Sequence, residues 1–136
     1  MVDDNLLDQL VASARKVRAN AYAPYSKFLV GAALLDEHGR IHAGCNVENA
    51  AYPEGVCAEA GALSAMVLAG GSRALALVVV GSGAALVTPC GGCRQKLREF
   101  GAPETPVLVA DRQQLRARFT LGELLPDSFG PDHLKP

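Results

Sequence analysis

The chain has 136 residues, of which 49% are hydrophobic and 20% are charged, with a formal net charge of −1. This length and composition predict one domain, residues 1–136, with a substantial apolar core. Basic residues are scattered among acidic ones rather than gathered into a stripe, which disfavours nucleic acid as a partner and favours a small neutral substrate. Without an apolar leader or a membrane-length apolar run, we expect a cytoplasmic protein that has no membrane partner.

The first half of the chain predicts a helix, a β-hairpin and a second helix. In order, these elements are a helix over 6–21, strands over 28–35 and 40–45, a polar loop over 46–55 and a helix over 56–68. Asp3 or Asp4 is available as the N-cap of the first helix, because its apolar residues begin directly afterwards. The short turn 36–39 separates the two strands, and Gly70-Gly71 ends the second helix.

Strands and helices alternate in the second half. Residues 74–80 form a nearly all-apolar run that is typical of a buried strand, and a helix over 94–100 follows. A further apolar strand covers 105–110, and the tail over 121–131 contains a short turn of helix. This alternation predicts a mixed sheet covered by helices.

The cysteines form the most informative pattern. Cys57-Ala58-Glu59 precedes Pro89-Cys90-Gly91-Gly92-Cys93, and Cys57 and Cys93 each stand at the start of a predicted helix, where the helix dipole favours thiolate. Three thiolates leave one position of a tetrahedral Zn²⁺ open to water, whose pKa the ion lowers toward neutrality. Glu59 is the candidate that moves protons there. The pattern predicts a hydrolytic zinc site.

Several other interpretations remain open on these residues. Cys45 could complete a closed four-cysteine structural site, although a small buried thiol is the commoner state of a strand cysteine. Glu59 could merely complement the dipole of its helix. Cys90 and Cys93 could form a thiol oxidoreductase motif, or zinc could stabilise a non-catalytic interaction module. Four cysteines fit a reducing compartment better than a disulfide framework.

Beyond the cysteines, further blocks follow one another in the chain. They are Ala23-Pro24-Tyr25-Ser26 with Phe28, residues 30–35, residues 44–50, Arg94-Gln95, residues 124–126 and residues 129–131. Nearly end to end, the chain resembles the short-chain homotetrameric branch of the cytidine deaminase family. The resemblance implies a three-layer α/β/α sandwich with a central mixed sheet of about five strands. It also implies one Zn²⁺ per subunit, held by Cys57, Cys90 and Cys93, and pyrimidine salvage by deamination of cytidine and 2′-deoxycytidine.

The resemblance also assigns the remaining site residues. It gives Glu59 the transfer of a proton to the pyrimidine ring nitrogen and then to departing ammonia. Asn46 and Glu48 match the ribose-binding pair, Phe28 matches the ring against which the nucleoside packs, and Ala58 is placed for main-chain contact with the base. Positions that reach the pocket of a neighbouring subunit in the homotetramer are Ala50, Tyr52 and Phe129.

One position departs from the family pattern. The family commonly has arginine directly after the catalytic glutamate, where this chain has Ala60. Three thiolates outweigh Zn²⁺ by one charge, which should raise the pKa of the bound water. The sequence leaves open whether helix dipoles or another arginine compensates. It also leaves open a cytosine nucleoside antibiotic as substrate, although Phe28 and Asn46-Val47-Glu48 favour the ordinary nucleoside.

Overall fold

A computed structural model of the chain describes residues 2–135. Its helices are α1 (Asp4–Arg18), α2 (Ala58–Leu68), α3 (Gly91–Phe100) and α4 (Leu121–Leu124). Its strands are β1 (Gly31–Asp36), β2 (Ile41–Cys45), β3 (Ala74–Val80), β4 (Pro106–Ala110) and β5 (Leu115–Thr120). They form one sheet in the order β2-β1-β3-β4-β5, in which β3 and β4 are parallel and all other neighbours are antiparallel. The predicted mixed sheet is confirmed.

The sheet separates two helical layers, each with its own apolar core. The core under α1 contains Leu7, Leu10, Val11, Ala14, Leu35, Val78, Val80 and Leu108. The core under α2 and α3 contains Leu34, Ala62, Leu63, Met66, Leu77, Val79, Leu97 and Val107. Successive strand residues point to opposite faces, so β3 supplies both cores. The expected three-layer α/β/α sandwich is therefore confirmed. Across residues 2–135, no helix is both long and apolar enough for a membrane crossing.

Several predicted boundaries differ from the observed ones by one to three residues. Of the two candidate caps, Asp3 is the N-cap of α1, because its Oδ1 accepts a hydrogen bond from the Leu6 N–H at 2.8 Å. The helix ends at Arg18 rather than at 21. Strand β1 begins at Gly31 rather than at 28. Phe28 and Val30 bond instead to the side chain of Asn46 in the loop after β2, so the chain before Gly31 leaves the regular strand ladder.

Strand β5 was not predicted from the sequence. Leu115, Ala117 and Phe119 alternate with Arg116 and Arg118, which is the period-two pattern of a strand with one face exposed. Among residues 2–135 it pairs with β4 alone and forms an edge of the sheet. The alternation was the available signal, but the two arginines make the segment resemble a polar loop.

Helix α2 lies very close to β2. A Cβ added to Gly44 would lie 2.5 Å from the backbone nitrogen of Ala62 and 2.6 Å from the carbonyl oxygen of Ala58. Only glycine therefore permits this approach of strand and helix. The contact fixes the first turn of α2, which carries the candidate catalytic residues, against the sheet.

Candidate metal and catalytic site

The structure brings three of the four cysteines together. The Sγ atoms of Cys57, Cys90 and Cys93 all lie within 4.8 Å of one another. Zn–S bonds of about 2.3 Å in tetrahedral geometry place sulfur atoms about 3.8 Å apart. The three side chains thus fit a Zn²⁺ ion with only small adjustments. Within residues 2–135, Cys45 does not join this group, which argues against a closed four-cysteine site.

Helix starts supply the three sulfur atoms. Cys57 is the N-cap of α2 and Cys90 is the N-cap of α3. The sequence predicted Cys57 in the first turn of this helix. In the structure it instead lies directly before the helix. Helix α3 begins at Gly91, before Cys93, so Cys93 lies within its first turn. At these positions, free N–H groups and the positive helix end favour thiolates.

The three thiols differ in their surroundings. Burial raises the pKa of the Cys93 thiol and, to a smaller degree, that of Cys57. The backbone N–H of Cys93 instead lowers the pKa of Cys90, which lies at the exposed edge of the cluster. A divalent cation between the sulfur atoms would favour the thiolate form of all three.

Glu59 lies beside the cysteine cluster as the second residue of α2. It is only 5% exposed. Burial raises the pKa of its carboxyl group, and the backbone N–H of Glu59, the Cys93 side chain and the charge of Lys96 oppose this effect. A raised carboxyl pKa suits a group that must both accept and donate a proton near neutral pH. A residue that served only the helix dipole would not need to be buried next to a cysteine.

Arg94, to which the sequence analysis gave no role, supports the second cysteine motif. Its Nε donates to the Pro89 carbonyl at 2.7 Å, Nη1 to the Leu124 carbonyl at 2.8 Å and Nη2 to the Thr88 hydroxyl at 3.0 Å. These bonds tie the residues before Cys90 to α4. Each of these three bonds goes to an oxygen atom rather than to a cysteine sulfur.

The side chain of Asn46 joins two segments of the main chain. Its Oδ1 accepts from the Val30 N–H at 2.9 Å, and its Nδ2 donates to the Phe28 carbonyl at 2.8 Å. These bonds hold the residues before β1 beside the loop after β2. The Phe28 side chain is partly exposed next to this junction.

Glu48 is held by donors from the loop before β1. One carboxylate oxygen accepts from the backbone N–H groups of Tyr25 and Ser26, at 3.0 and 3.1 Å, and the other accepts from the Ser26 hydroxyl. Chiefly through the Ser26 hydroxyl, these bonds lower the pKa of Glu48, which keeps it ionised. Glu48 and Tyr52 line a cavity of about 360 Å³. The other residues lining this cavity are Tyr25, Ser26, Asn49 and Gly55.

The other sequence-predicted contact residues lie apart from this cavity. Ala58 is buried as the first residue of α2, beside Cys57, and Ala50 is exposed in the loop after β2. Phe129 is 58% exposed and stacks on His133, with ring centroids 5.1 Å apart. Its carbonyl accepts from Gln95 at 2.9 Å. Phe129 lines a different cavity, so one chain does not bring it together with Glu48 and Tyr52.

The chain is similar in sequence to proteins of one known family. A sequence model described as the cytidine and deoxycytidylate deaminase zinc-binding region matches residues 4–109. The cytidine deaminase of Mycobacterium tuberculosis (strain H37Rv) is 45% identical over 133 residues, which cover 98% of this chain and 94% of that protein. The cytidine deaminase of Sporosarcina psychrophila is 42% identical over 128 residues, 94% of each chain.

A solved structure also matches closely. The crystal structure of cytidine deaminase from Burkholderia pseudomallei aligns with a TM-score of 0.83 and 42% identity, over 90% of this chain and 98% of that one. The family match covers more than half of the chain, and the identities extend over nearly all of it. The chain therefore belongs to the zinc-binding cytidine and deoxycytidylate deaminase family.

Proposed function

We propose that this protein catalyses the zinc-dependent hydrolytic deamination of cytidine and 2′-deoxycytidine to uridine and 2′-deoxyuridine, with release of ammonia. The observation that carries the proposal is the cluster of three cysteine sulfur atoms within 4.8 Å of one another, with a buried glutamate beside it. The donor set suits zinc, and three ligands leave a fourth position for the reaction. The names of the relatives support the same activity.

The chemistry divides between the metal and Glu59. Zinc, when bound by Cys57, Cys90 and Cys93, supplies a Lewis acid that polarises the attacking water. Glu59 accepts a proton from that water and donates it to N3 of the cytosine ring. After the C4–O bond has formed, Glu59 transfers the proton of the new C4 hydroxyl group to the amino group. The bond between C4 and the amino nitrogen then breaks, and C4 becomes the carbonyl carbon of the product. One water is consumed, and the products are the uracil nucleoside and ammonia.

Four residues of the same chain are proposed to bind the nucleoside. Asn46 and Glu48 bind the ribose hydroxyls, Phe28 packs against the nucleoside, and the main chain of Ala58 contacts the base. Hydrogen bonds from the surrounding main chain support the ribose-binding roles, because they fix both side chains before substrate arrives. Prior order of this kind lowers the entropic cost of binding.

We further propose that residues 1–136 act as one catalytic domain within a homotetramer whose pockets are shared between subunits. Ala50, Tyr52 and Phe129 would reach the neighbouring pocket. Their exposure supports this arrangement, and so does the separation of Phe129 from the cavity of Glu48 and Tyr52. A role in cytoplasmic pyrimidine salvage agrees with four free cysteines and with a near-neutral net charge, which suits a small nucleoside rather than a nucleic acid.

A direct assay tests the activity. The zinc-loaded protein is incubated with cytidine and 2′-deoxycytidine while ultraviolet absorbance and ammonia are followed, with adenosine and cytosine as controls. We expect both cytosine nucleosides to be deaminated and both controls to remain unchanged. Turnover of a cytosine nucleoside antibiotic without turnover of cytidine would contradict the proposed substrate. Absence of any deamination by protein with full zinc content would contradict the activity itself.

A further inference from the structure

The charges in the zinc site do not balance within the groups described so far. Three thiolates carry one more negative charge than Zn²⁺ neutralises, and the nearby Glu59 adds another when it is ionised. The residue after Glu59 is Ala60, which carries no charge. Arg94 donates to oxygen atoms on α4 and before α3 instead. A further cation that reaches the cysteine cluster is therefore a candidate to offset the surplus within this chain.

Lys96 lies in the right place on α3. It follows Gly92 by four residues and Cys93 by three, and residues at these spacings share one face of a helix. The ammonium nitrogen of Lys96 lies 3.7 Å from the point where a Cβ on Gly92 would stand. The side chain therefore folds back over the turn that carries Cys90 and Cys93, although the residue as a whole is exposed.

This orientation is unfavourable unless negative charge is present. The start of a helix carries a partial positive charge, so a cation that lies over it is repelled. Glu99 is available three residues away on the other side, yet no ion pair joins Lys96 to a carboxylate within residues 2–135. Thiolates at the same helix start would supply such an attraction.

The small residue after Glu59 leaves this approach open. Ala60 and Lys96 line the same cavity of about 740 Å³ between α2 and α3.

We propose that Lys96 is a positioning residue of the zinc site, whose ammonium group offsets the surplus negative charge of the three thiolates and strengthens zinc binding. The proposal rests on the zinc site of the proposed function, though not on the identity of the substrate. Lys96 acts through the cysteine ligands and does not contact the reacting atoms.

Zinc affinity measured by chelator competition tests this role. Lys96→Met keeps the aliphatic stem and removes the charge, and Lys96→Arg keeps the charge. We expect Lys96→Met to bind zinc about three- to tenfold more weakly than the wild type, with the difference shrinking at high salt. Lys96→Arg should restore wild-type affinity. Lys16→Met, which removes an exposed lysine of α1 on the other face of the sheet, is the matched control and should change nothing.

Reactivity of the cysteines gives a second readout that does not depend on zinc or substrate. In the metal-free protein, we expect alkylation of the cysteine cluster to be slower in Lys96→Met than in the wild type, because less thiolate is present. Unchanged alkylation, or a zinc affinity of Lys96→Met within about twofold of the wild type, would overturn the proposal. Loss of zinc that Lys96→Arg does not restore, or that accompanies a change of melting temperature or oligomeric state, would also overturn it.

The outcome for Lys96 is separable from the outcome for the enzyme activity. A wild-type protein that binds zinc and shows the Lys96 effect but leaves cytidine unchanged would refute the proposed substrate and support the role of Lys96. If the wild type deaminates cytidine but its zinc affinity does not change when Lys96 is replaced, the proposed substrate would be supported and the role of Lys96 refuted.

Discussion

At the scale of single residues, Glu59 shows how burial gives a common side chain an uncommon property. Most carboxyl groups in the first turn of a helix remain in water and stay ionised. Glu59 is enclosed beside Cys93, and its pKa is raised by burial. A carboxyl group in this state can take up a proton and release it within one catalytic cycle.

Replacement of Glu59 by glutamine should therefore separate catalysis from metal binding. Glutamine keeps the size of the side chain but cannot carry the proton. We expect Glu59→Gln to retain one zinc per chain and to lose turnover of cytidine by at least about 10²-fold. Steady-state kinetics and elemental analysis of zinc measure the two quantities. Glu104→Gln, at an exposed carboxylate, is the control, and near-normal turnover of Glu59→Gln would refute the assigned role.

The cysteines differ in what their loss should do. Removal of a group that merely supports a metal ligand costs about 10–100-fold in affinity, so loss of a ligand itself should cost more. We expect Cys90→Ala to lower zinc affinity by more than about 100-fold and to reduce the melting temperature, because metal binding is coupled to folding. Cys45→Ala should retain zinc, since Cys45 lies outside the cluster. Equal loss of zinc in both variants would mean that Cys45 is a ligand.

The sequence predicted the residues of the cluster but not the residues that support it. The spacing of Cys57, Cys90 and Cys93 carries chemical information by itself, because three thiols with a nearby glutamate match the ligand set of a catalytic zinc site. The contacts of Arg94 depend on where the chain places α4, thirty residues later. Sequence spacing puts Lys96 on the face of Cys93, but only the folded chain shows that its ammonium group turns back toward Gly92.

At the scale of elements, the β1–β2 hairpin contains a buried carboxylate away from the zinc site. Asp36 is fully buried, and it accepts hydrogen bonds from His42 Nε2 at 2.7 Å, from Arg40 Nε at 3.0 Å and from the His38 N–H at 2.8 Å. Burial alone would raise the pKa of Asp36, but these bonds outweigh it and hold the pKa well below the usual range. The ionised carboxylate stabilises the turn.

Stability should therefore fall in acid. The pKa of Asp36 is lower in the folded chain than in the unfolded chain, so the unfolded chain binds the proton more readily. The contribution of Asp36 to the free energy of unfolding is therefore complete above about pH 4. It disappears as the pH falls toward the pKa of Asp36 in the folded chain. We expect Asp36→Asn to lower the free energy of unfolding at pH 7 by roughly 2–4 kcal/mol. The difference from wild type should shrink below about pH 4 in urea titrations. Asp8→Asn, at an exposed position of α1, should behave like the wild type throughout; a pH-independent effect of Asp36→Asn would contradict this account.

The contact of α2 with β2 gives a second prediction at this scale. A Cβ on Gly44 would overlap backbone atoms of α2, which cannot move aside as a flexible side chain can. We expect Gly44→Ala to destabilise the fold by roughly 2–4 kcal/mol and to weaken zinc binding by displacing Cys57. Denaturant unfolding and chelator competition measure these effects. Gly91→Ala is a suitable control, because a Cβ there meets no atom within 4 Å. Wild-type stability of Gly44→Ala would show that the helix shifts without cost.

Elements with a strong periodic or apolar sequence pattern were predicted well. Elements whose bounds depend on pairing with another segment of the chain were not. Strand β3 is apolar throughout and was predicted with its observed bounds, Ala74–Val80. Strand β5 is an edge strand with two arginines, and its identity depends on pairing with β4. The predicted start of β1 at 28 was three residues early, because Asn46 takes the hydrogen bonds that a neighbouring strand would otherwise make.

At the scale of the whole molecule, the proposed sharing of pockets can be tested by mixing two defective chains. If Phe129 of one subunit serves the site of another, Phe129→Ala and Glu59→Gln chains should complement each other. Random co-assembly would give roughly a quarter of the sites both an intact Glu59 and an intact Phe129, so activity should rise above that of either pure variant. Refolding the chains together and assaying cytidine turnover measures this. No gain over the separate variants would refute the shared pocket.

The sheet between the two helical layers has a consequence for how this protein tolerates change. Every proposed zinc ligand begins or lies within a helix on the α2–α3 side, while α1 covers the other side through a separate apolar core. Substitutions under α1 should mainly alter how firmly the chain holds together. Substitutions under α2 and α3 also move the groups that perform the chemistry. The core under α1 should therefore tolerate more sequence change during evolution than the core under α2 and α3.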